Sequence, residues 1–213
     1  MEKRNVLILG AGGQIAQHVI RFLLDDKNVG LTLLLRNVRQ GQGIKSPNTT
    51  VIQGDVMDDA LLNDAVKGKD VVYANLAGDV DKQAKHIVDA MQKARVKRLI
   101  FVTSLGIYDE VPGAFGKWNH SMIGSALKTY RKAADIIEAS PLDYTVLRPA
   151  WLTDKDEVDY ELTQKGEPFK GTEVSRKSVA AFITDLIKHP EKAIKSSVGI
   201  DKPNTDGDKP AFY

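Results

Sequence analysis

Cysteine is absent from the chain, which excludes disulfides, thiolate nucleophiles and cysteine-bound metal sites. The four histidines, His18, His86, His120 and His189, stand singly, and none has metal-ligand spacing to another. No apolar run approaches the roughly 20 residues that a membrane span requires. An excess of one charge sign is also missing. With 30 basic and 28 acidic residues the net charge is +2, so there is no electrostatic case for a nucleic-acid or membrane partner. The opening Met-Glu-Lys-Arg-Asn runs directly into an apolar segment and leaves no room for a signal peptide, so a cytoplasmic location is expected. Proline is scarce early on: of eight, only Pro47 precedes residue 110. That scarcity leaves the first half free for regular elements.

Those elements are readable. Val6-Leu7-Ile8-Leu9 is a buried strand that runs into Gly10-Ala11-Gly12-Gly13. A helical stripe of Ile15, Val19, Phe22 and Leu23 follows. A helix start with unpaired N–H groups behind a glycine-rich turn is an anion site. The strict dinucleotide pattern G-x-G-x-x-G would need glycine at position 15, where this chain has Ile15. The pattern it satisfies is Gly10-x-x-Gly13-x-x-Ala16, with Gly12 in addition.

Further strands are expected at Leu31–Leu35, Thr50–Gln53, Val71–Leu76, Leu99–Val102 and Asp143–Leu147. Helices are expected around Leu61–Val66, over Asp81–Ala94, from about Gly124 to Ala139, and after Ser175 as N-cap. A loop rich in Gly, Gln and Pro separates the second strand from the third, and a long loop covers Gly106–Met122. An acidic irregular stretch runs from Asp154 to Glu161, Ser197–Ile200 reads as an edge strand, and the tail from Asp201 is polar. Continuous apolar strands alternating with helices predict an α/β fold: a doubly wound parallel sheet with helices on both faces and a small loop-rich C-terminal substrate region. The expected organisation is one domain over 1–213, with a cofactor half (1–105) and a substrate-side half (106–213).

Several landmarks now stand in order: the glycine turn, Arg36, Gly54-Asp55-Val56, Leu76-Ala77-Gly78, Thr103-Ser104-x-Gly106-x-Tyr108 and Leu147-Arg148-Pro149. Together they resemble the atypical, NmrA-like NAD(P)-binding branch of the short-chain dehydrogenase/reductase superfamily, which has a Rossmann-type fold. The resemblance implies that backbone around Gly10, Gly12, Gly13, Gln14 and Ile15 holds a pyrophosphate. It implies that Asp55 and Val56 meet the adenine, that Leu76, Ala77 and Gly78 line the ribose path, and that Thr103 and Ser104 face the nicotinamide. Asp55 also suits the N-cap of the next helix, and the two roles can coexist. Arg36 stands twenty residues past Ala16, where an acidic residue would bind the 2′-hydroxyl of NAD. A guanidinium there suits a 2′-phosphate, so NADP is expected over NAD.

The catalytic end is less regular. Superfamily reductases use Tyr-x-x-x-Lys on one helix face, where the ammonium lowers the phenol pKa. Tyr130 is followed at that spacing by Ala134, and the nearby Lys132 lies off that face. Ser104, Tyr108 and Tyr130 are the candidate catalytic residues. Against these stand a capping role for Ser104 and core packing for either tyrosine. Three functions remain: an oxidoreductase acting on a small apolar or planar carbonyl or quinone-like substrate, a dinucleotide sensor without turnover, and an epimerase-like or isomerase-like enzyme. Tyr108, Phe115, Trp118 and Trp151, on loops after two central strands, point to a mainly apolar pocket. The oligomeric state is left open.

Overall fold

The computed structural model describes residues 3–41, 44 and 46–213. Its elements follow the expected alternation: β1 (Arg4–Leu9), α1 (Gln14–Leu23), β2 (Val29–Leu35), β3 (Thr49–Gln53), α2 (Asp59–Val66), β4 (Val71–Ala74), α3 (Val80–Ala94) and β5 (Arg98–Val102). Then come α4 (Gly113–Glu138), β6 (Asp143–Pro149), β7 (Trp151–Thr153), β8 (Glu161–Gln164), β9 (Glu173–Ser175), α5 (Arg176–Lys188) and β10 (Ser196–Asp201). Eight strands form one sheet in the order β3-β2-β1-β4-β5-β6-β10-β8, parallel except for β8. A separate parallel pair joins β7 to β9. Gln42, Gly43 and Lys45 of the expected Gly/Gln/Pro-rich loop, and Met1 and Glu2 ahead of β1, lie outside the described residues.

Alternation along each strand divides the core in two. Val6 and Ile8 face α1 and α5, whereas Leu7 and Leu9 face α2, α3 and α4. Both faces are therefore covered, as continuous apolar strands require. Strand order reverses between β1 and β4, and at such a switch point the chain departs to opposite faces and opens a crevice beyond the strand ends.

Three expectations are corrected. The segment Gly106–Met122 is not all loop: α4 begins at Gly113, and its glycines disguised a turn whose Phe115 and Asn119 are buried. Ile123 breaks that helix with φ −132° and ψ 17°. Phe115, before the break, packs on the α1/α5 side, and Leu127, beyond it, on the other. The kink thus lets one helix contribute to both cores. Ser197–Ile200 is not an edge strand, because β10 pairs with β6 on one side and with β8 on the other. Finally, the acidic stretch supplies the edge strand β8, beginning at Glu161.

Candidate functional site

One cavity, about 450 Å³, opens at the carboxyl ends of β1, β2 and β4. Gly10, with φ +76°, allows β1 to turn against the end of β4, and a Cβ there would lie 2.2 Å from the Asn75 carbonyl oxygen. A Cβ on Gly13 would lie 2.1 Å from Asn75 Nδ2, and one on Gly12 would meet the side chain of Gln40. The turn is pinned from behind, since Gln17 Nε2 donates to the Ala11 carbonyl at 2.7 Å. Among the described residues no side chain caps α1. A flush glycine wall beside an uncapped helix N-terminus fits a diphosphate group.

The far wall of this cavity is formed by Arg36, Asn37, Gln40, Asp55 and Val56. Arg36 is exposed and its backbone carbonyl accepts from Gln53 Nε2 at 3.2 Å. Asp55 does not cap α2. That role belongs to Asp58, whose carboxylate accepts from Leu61 N at 3.1 Å. Asp55 instead closes the preceding turn through Met57 N at 2.9 Å, which leaves the residue in the cavity wall. Leu76 and Ala77 line the cavity. Gly78, with φ +90°, lines neither this cavity nor the next, and Gln14 contributes to neither.

A second cavity, about 420 Å³, adjoins the first and shares Asn75 and Leu76 with it. Ile15, Thr103, Ser104 and Tyr130 line it. Thr103 is buried with its hydroxyl donating to the Leu147 carbonyl at 3.0 Å, so that hydroxyl is structural. Ser104, half-buried, makes no side-chain hydrogen bond to the described residues. Tyr130 Oη reaches the Leu76 carbonyl only at 3.5 Å, and burial raises the phenol's pKa. Ala134, one turn further on, is fully buried, while Lys132 is exposed. Tyr108 is not brought here. Its hydroxyl donates to Glu138 Oε1 at 2.6 Å, and Arg131, Arg148 and Lys165 surround its ring. Burial, followed by the Glu138 contact, raises its pKa.

The profile of the NAD(P)H-binding family matches residues 10–190, a span containing both cavities' glycine turn, strand ends and Ser104–Tyr130 pair. The chain belongs to the NAD(P)H-binding family. It is 53% identical to a Rossmann-fold NAD(P)-binding family protein from Shigella flexneri, over all of both chains, with a TM-score of 0.87. A short-chain dehydrogenase/reductase from Veillonella parvula, solved in complex with NADP, is 32% identical over 98% of this chain and 99% of that one, with a TM-score of 0.93. Over 94% of this chain and 90% of the relative, it is 26% identical to an uncharacterized sugar epimerase, YhfK, of Bacillus subtilis.

In this NAD(P)H-binding protein the loop that carries Ser104 is fixed by a buried ion pair. Arg148 of β6, fully buried, meets Glu110. Glu110 accepts in turn from the backbone N–H groups of Gly106 at 3.0 Å and Tyr108 at 2.9 Å. Sequence reasoning missed Asn75, Gln40, Arg176, Phe212 and Tyr213. Asn75 was assigned to the strand interior, and the last two to a polar tail. The tail in fact returns. Ala211 N donates to Glu173 Oε2 at 3.0 Å, and the Tyr213 ring stands 5.1 Å from both Trp118 and Trp151. Phe212 and Tyr213 thereby wall the second cavity. Among the described residues, no His/Asp/Glu group could hold a metal ion, and no helix is long and apolar enough to cross a membrane.

Proposed function

We propose that this protein is an NADP-dependent oxidoreductase that transfers hydride between the nicotinamide and a small planar or apolar carbonyl or quinone-like substrate. The observation that carries this reading is that Ser104 and Tyr130 line one cavity contiguous with the glycine cleft. When bound, the nicotinamide supplies or accepts the hydride. Gly10, Gly12, Gly13 and the α1 terminus would hold the diphosphate, with Asp55 and Val56 beside the adenine. Ser104 donates a hydrogen bond to the substrate carbonyl oxygen, polarising it. Tyr130 would hydrogen-bond the same oxygen and supply the proton it takes up, a transfer that burial opposes by raising the phenol's pKa. Arg36 favours the 2′-phosphate of NADP, in keeping with the NADP complex of the Veillonella relative. Trp151, Phe212 and Tyr213 favour a flat or apolar substrate.

Ala134 supports a second reading, binding without turnover, because no ammonium stands one turn from Tyr130 to assist proton transfer. Titration with NADPH and NADH, followed by NADPH oxidation against quinones and aromatic aldehydes, separates the two. The oxidoreductase reading expects tighter NADPH binding, weakened about tenfold or more by Arg36→Ala. It also expects turnover reduced about a hundredfold or more by Ser104→Ala or Tyr130→Phe. Tight cofactor binding with no oxidation across the panel would leave only the binding role.

A further inference from the structure

The second cavity is lined by apolar and neutral polar residues with one exception, Arg176 at the first position of α5. Its surroundings are those of an unfinished ion pair. Arg176 Nη1 donates to Asp154 Oδ1 at 2.8 Å and reaches the Leu152 carbonyl at 3.5 Å. Nε and Nη2 make no hydrogen bond to the described residues, although a guanidinium presents five donors in a fixed fork. The two partners also differ sharply in exposure: the Arg176 side chain is 19% exposed and that of Asp154 is 78% exposed. The cation therefore sits in the cavity wall while its counter-ion lies in water, where an ion pair contributes little. No acidic residue occupies the first turn of α5 to neutralise the site from its own helix.

From this placement we infer that Arg176 selects substrates that carry a carboxylate on the flat body that the aromatic residues enclose. The inference rests on reading this cavity as the substrate end of the site. Ser104 and Tyr130 would engage the carbonyl and Trp151 and Tyr213 the ring plane. The unused donors of Arg176 form a bidentate contact with the carboxylate, a geometry that a planar guanidinium matches better than a lysine ammonium does. The protein's substrate is then an aromatic or conjugated oxo-acid rather than a neutral aldehyde or ketone. Asp154, in water and held through one guanidinium nitrogen, leaves the other two free for the substrate and competes with its negative charge.

The test compares 4-formylbenzoate with 4-formylbenzamide, which differ little in shape and by one charge. Each is titrated calorimetrically into the NADP-saturated protein. The benzoate should bind roughly tenfold more tightly, the size expected for one charge-assisted bidentate contact in a partly enclosed site. Arg176→Gln should bring the two affinities to within about twofold, and Arg176→Lys should restore only part of the preference. Asp154→Asn changes only an exposed side chain, so it should fold normally, and it should increase the preference. Equal affinities in the unmodified protein would overturn the assignment. So would a preference that survives Arg176→Gln, or binding of neither compound at millimolar concentration. Weakened NADP binding in Arg176→Gln would also overturn it, by assigning the residue to the cofactor. Failure of the oxidoreductase reading looks different: the benzoate preference would be present while NADPH oxidation was absent.

Discussion

Replacing Glu110 with alanine should destabilise the protein by about 3–5 kcal/mol, the range for removing one partner of a buried ion pair. The magnitude follows from what is left behind. The Arg148 side chain is fully buried, and its remaining hydrogen bonds go to the Ser197 hydroxyl at 3.1 Å and to carbonyls at 3.3 and 3.4 Å, none of them charged. The Gly106 and Tyr108 N–H groups lose their acceptor in the same step. For a chain of 213 residues, each kcal/mol moves Tm by about 2–4 °C, so a fall of roughly 6–20 °C is expected. Lys67→Ala is the control, because the Lys67–Asp64 pair is 69% and 76% exposed and its loss should leave Tm nearly unchanged. Thermal denaturation followed by circular dichroism measures both. A second substitution, Arg148→Met, made together with Glu110→Leu, should recover part of the loss by removing the orphaned charge. Recovery stays incomplete because the two backbone donors remain unpaired. A Glu110→Ala loss no larger than the control would refute the reasoning.

Other substitutions probe the cofactor end, a buried acid and the aromatic wall. Gly12→Ala should weaken NADPH binding with a smaller change in Tm, because the atoms nearest its Cβ belong to the side chain of Gln40 and none is backbone. Gly10→Ala should unfold or strongly destabilise the chain, since its Cβ would meet a backbone carbonyl at φ +76°. Equal Tm losses for the two would contradict that division. Asp201 is fully buried, its Oδ1 makes no hydrogen bond to the described residues, and burial pushes its carboxyl from 3.8 up to about 6. A raised folded-state pKa means the associated stability is present below about pH 4 and is lost as pH rises through 6, by up to about 3 kcal/mol. Asp201→Asn, which keeps an acceptor for Gly171 N, should therefore compare more favourably with the parent at pH 7.5 than at pH 4; a difference independent of pH would refute the assignment. Tyr213→Ala removes three aromatic pairs, with Trp118, Trp151 and Phe212, and should raise KM for a planar substrate several-fold while leaving NADPH affinity unchanged. Steady-state kinetics at saturating NADPH would show this, and an unchanged KM would exclude Tyr213 from the substrate wall.

Legibility in the sequence follows the range of the interactions involved. β1, the glycine turn and α1 were readable because strand burial, turn chemistry and helical period act within twenty residues. The same holds for β2, β4, β5 and α3. The glycine spacing also led to the cavity wall that Gly10, Gly12 and Gly13 form. What escaped depends on distant partners. Gly113 and Gly116 read as loop residues, yet the turn they belong to is held by the burial of Phe115 and Asn119. Ser197–Ile200 read as an edge strand, but β10 is interior, and the missing side chain of Gly199 admits Phe169, whose ring atom would lie 2.6 Å from a Cβ there. Tyr108 had the right distance from Ser104 in sequence and points elsewhere because Glu138, thirty residues on, captures its hydroxyl. Nothing local in Asp208-Lys-Pro-Ala-Phe-Tyr213 signals that its aromatic residues return to two tryptophans.

Asn75 and Leu76 belong to the walls of both cavities. Any shift of these two residues by an occupant of one compartment is felt in the other, so the two binding equilibria share a free-energy term. Such a term is reciprocal: whatever affinity a bound cofactor lends to the substrate, the substrate returns to the cofactor in equal measure. Two adjacent residues at the end of one strand are then enough to make the halves of a long cleft respond to each other without any domain movement.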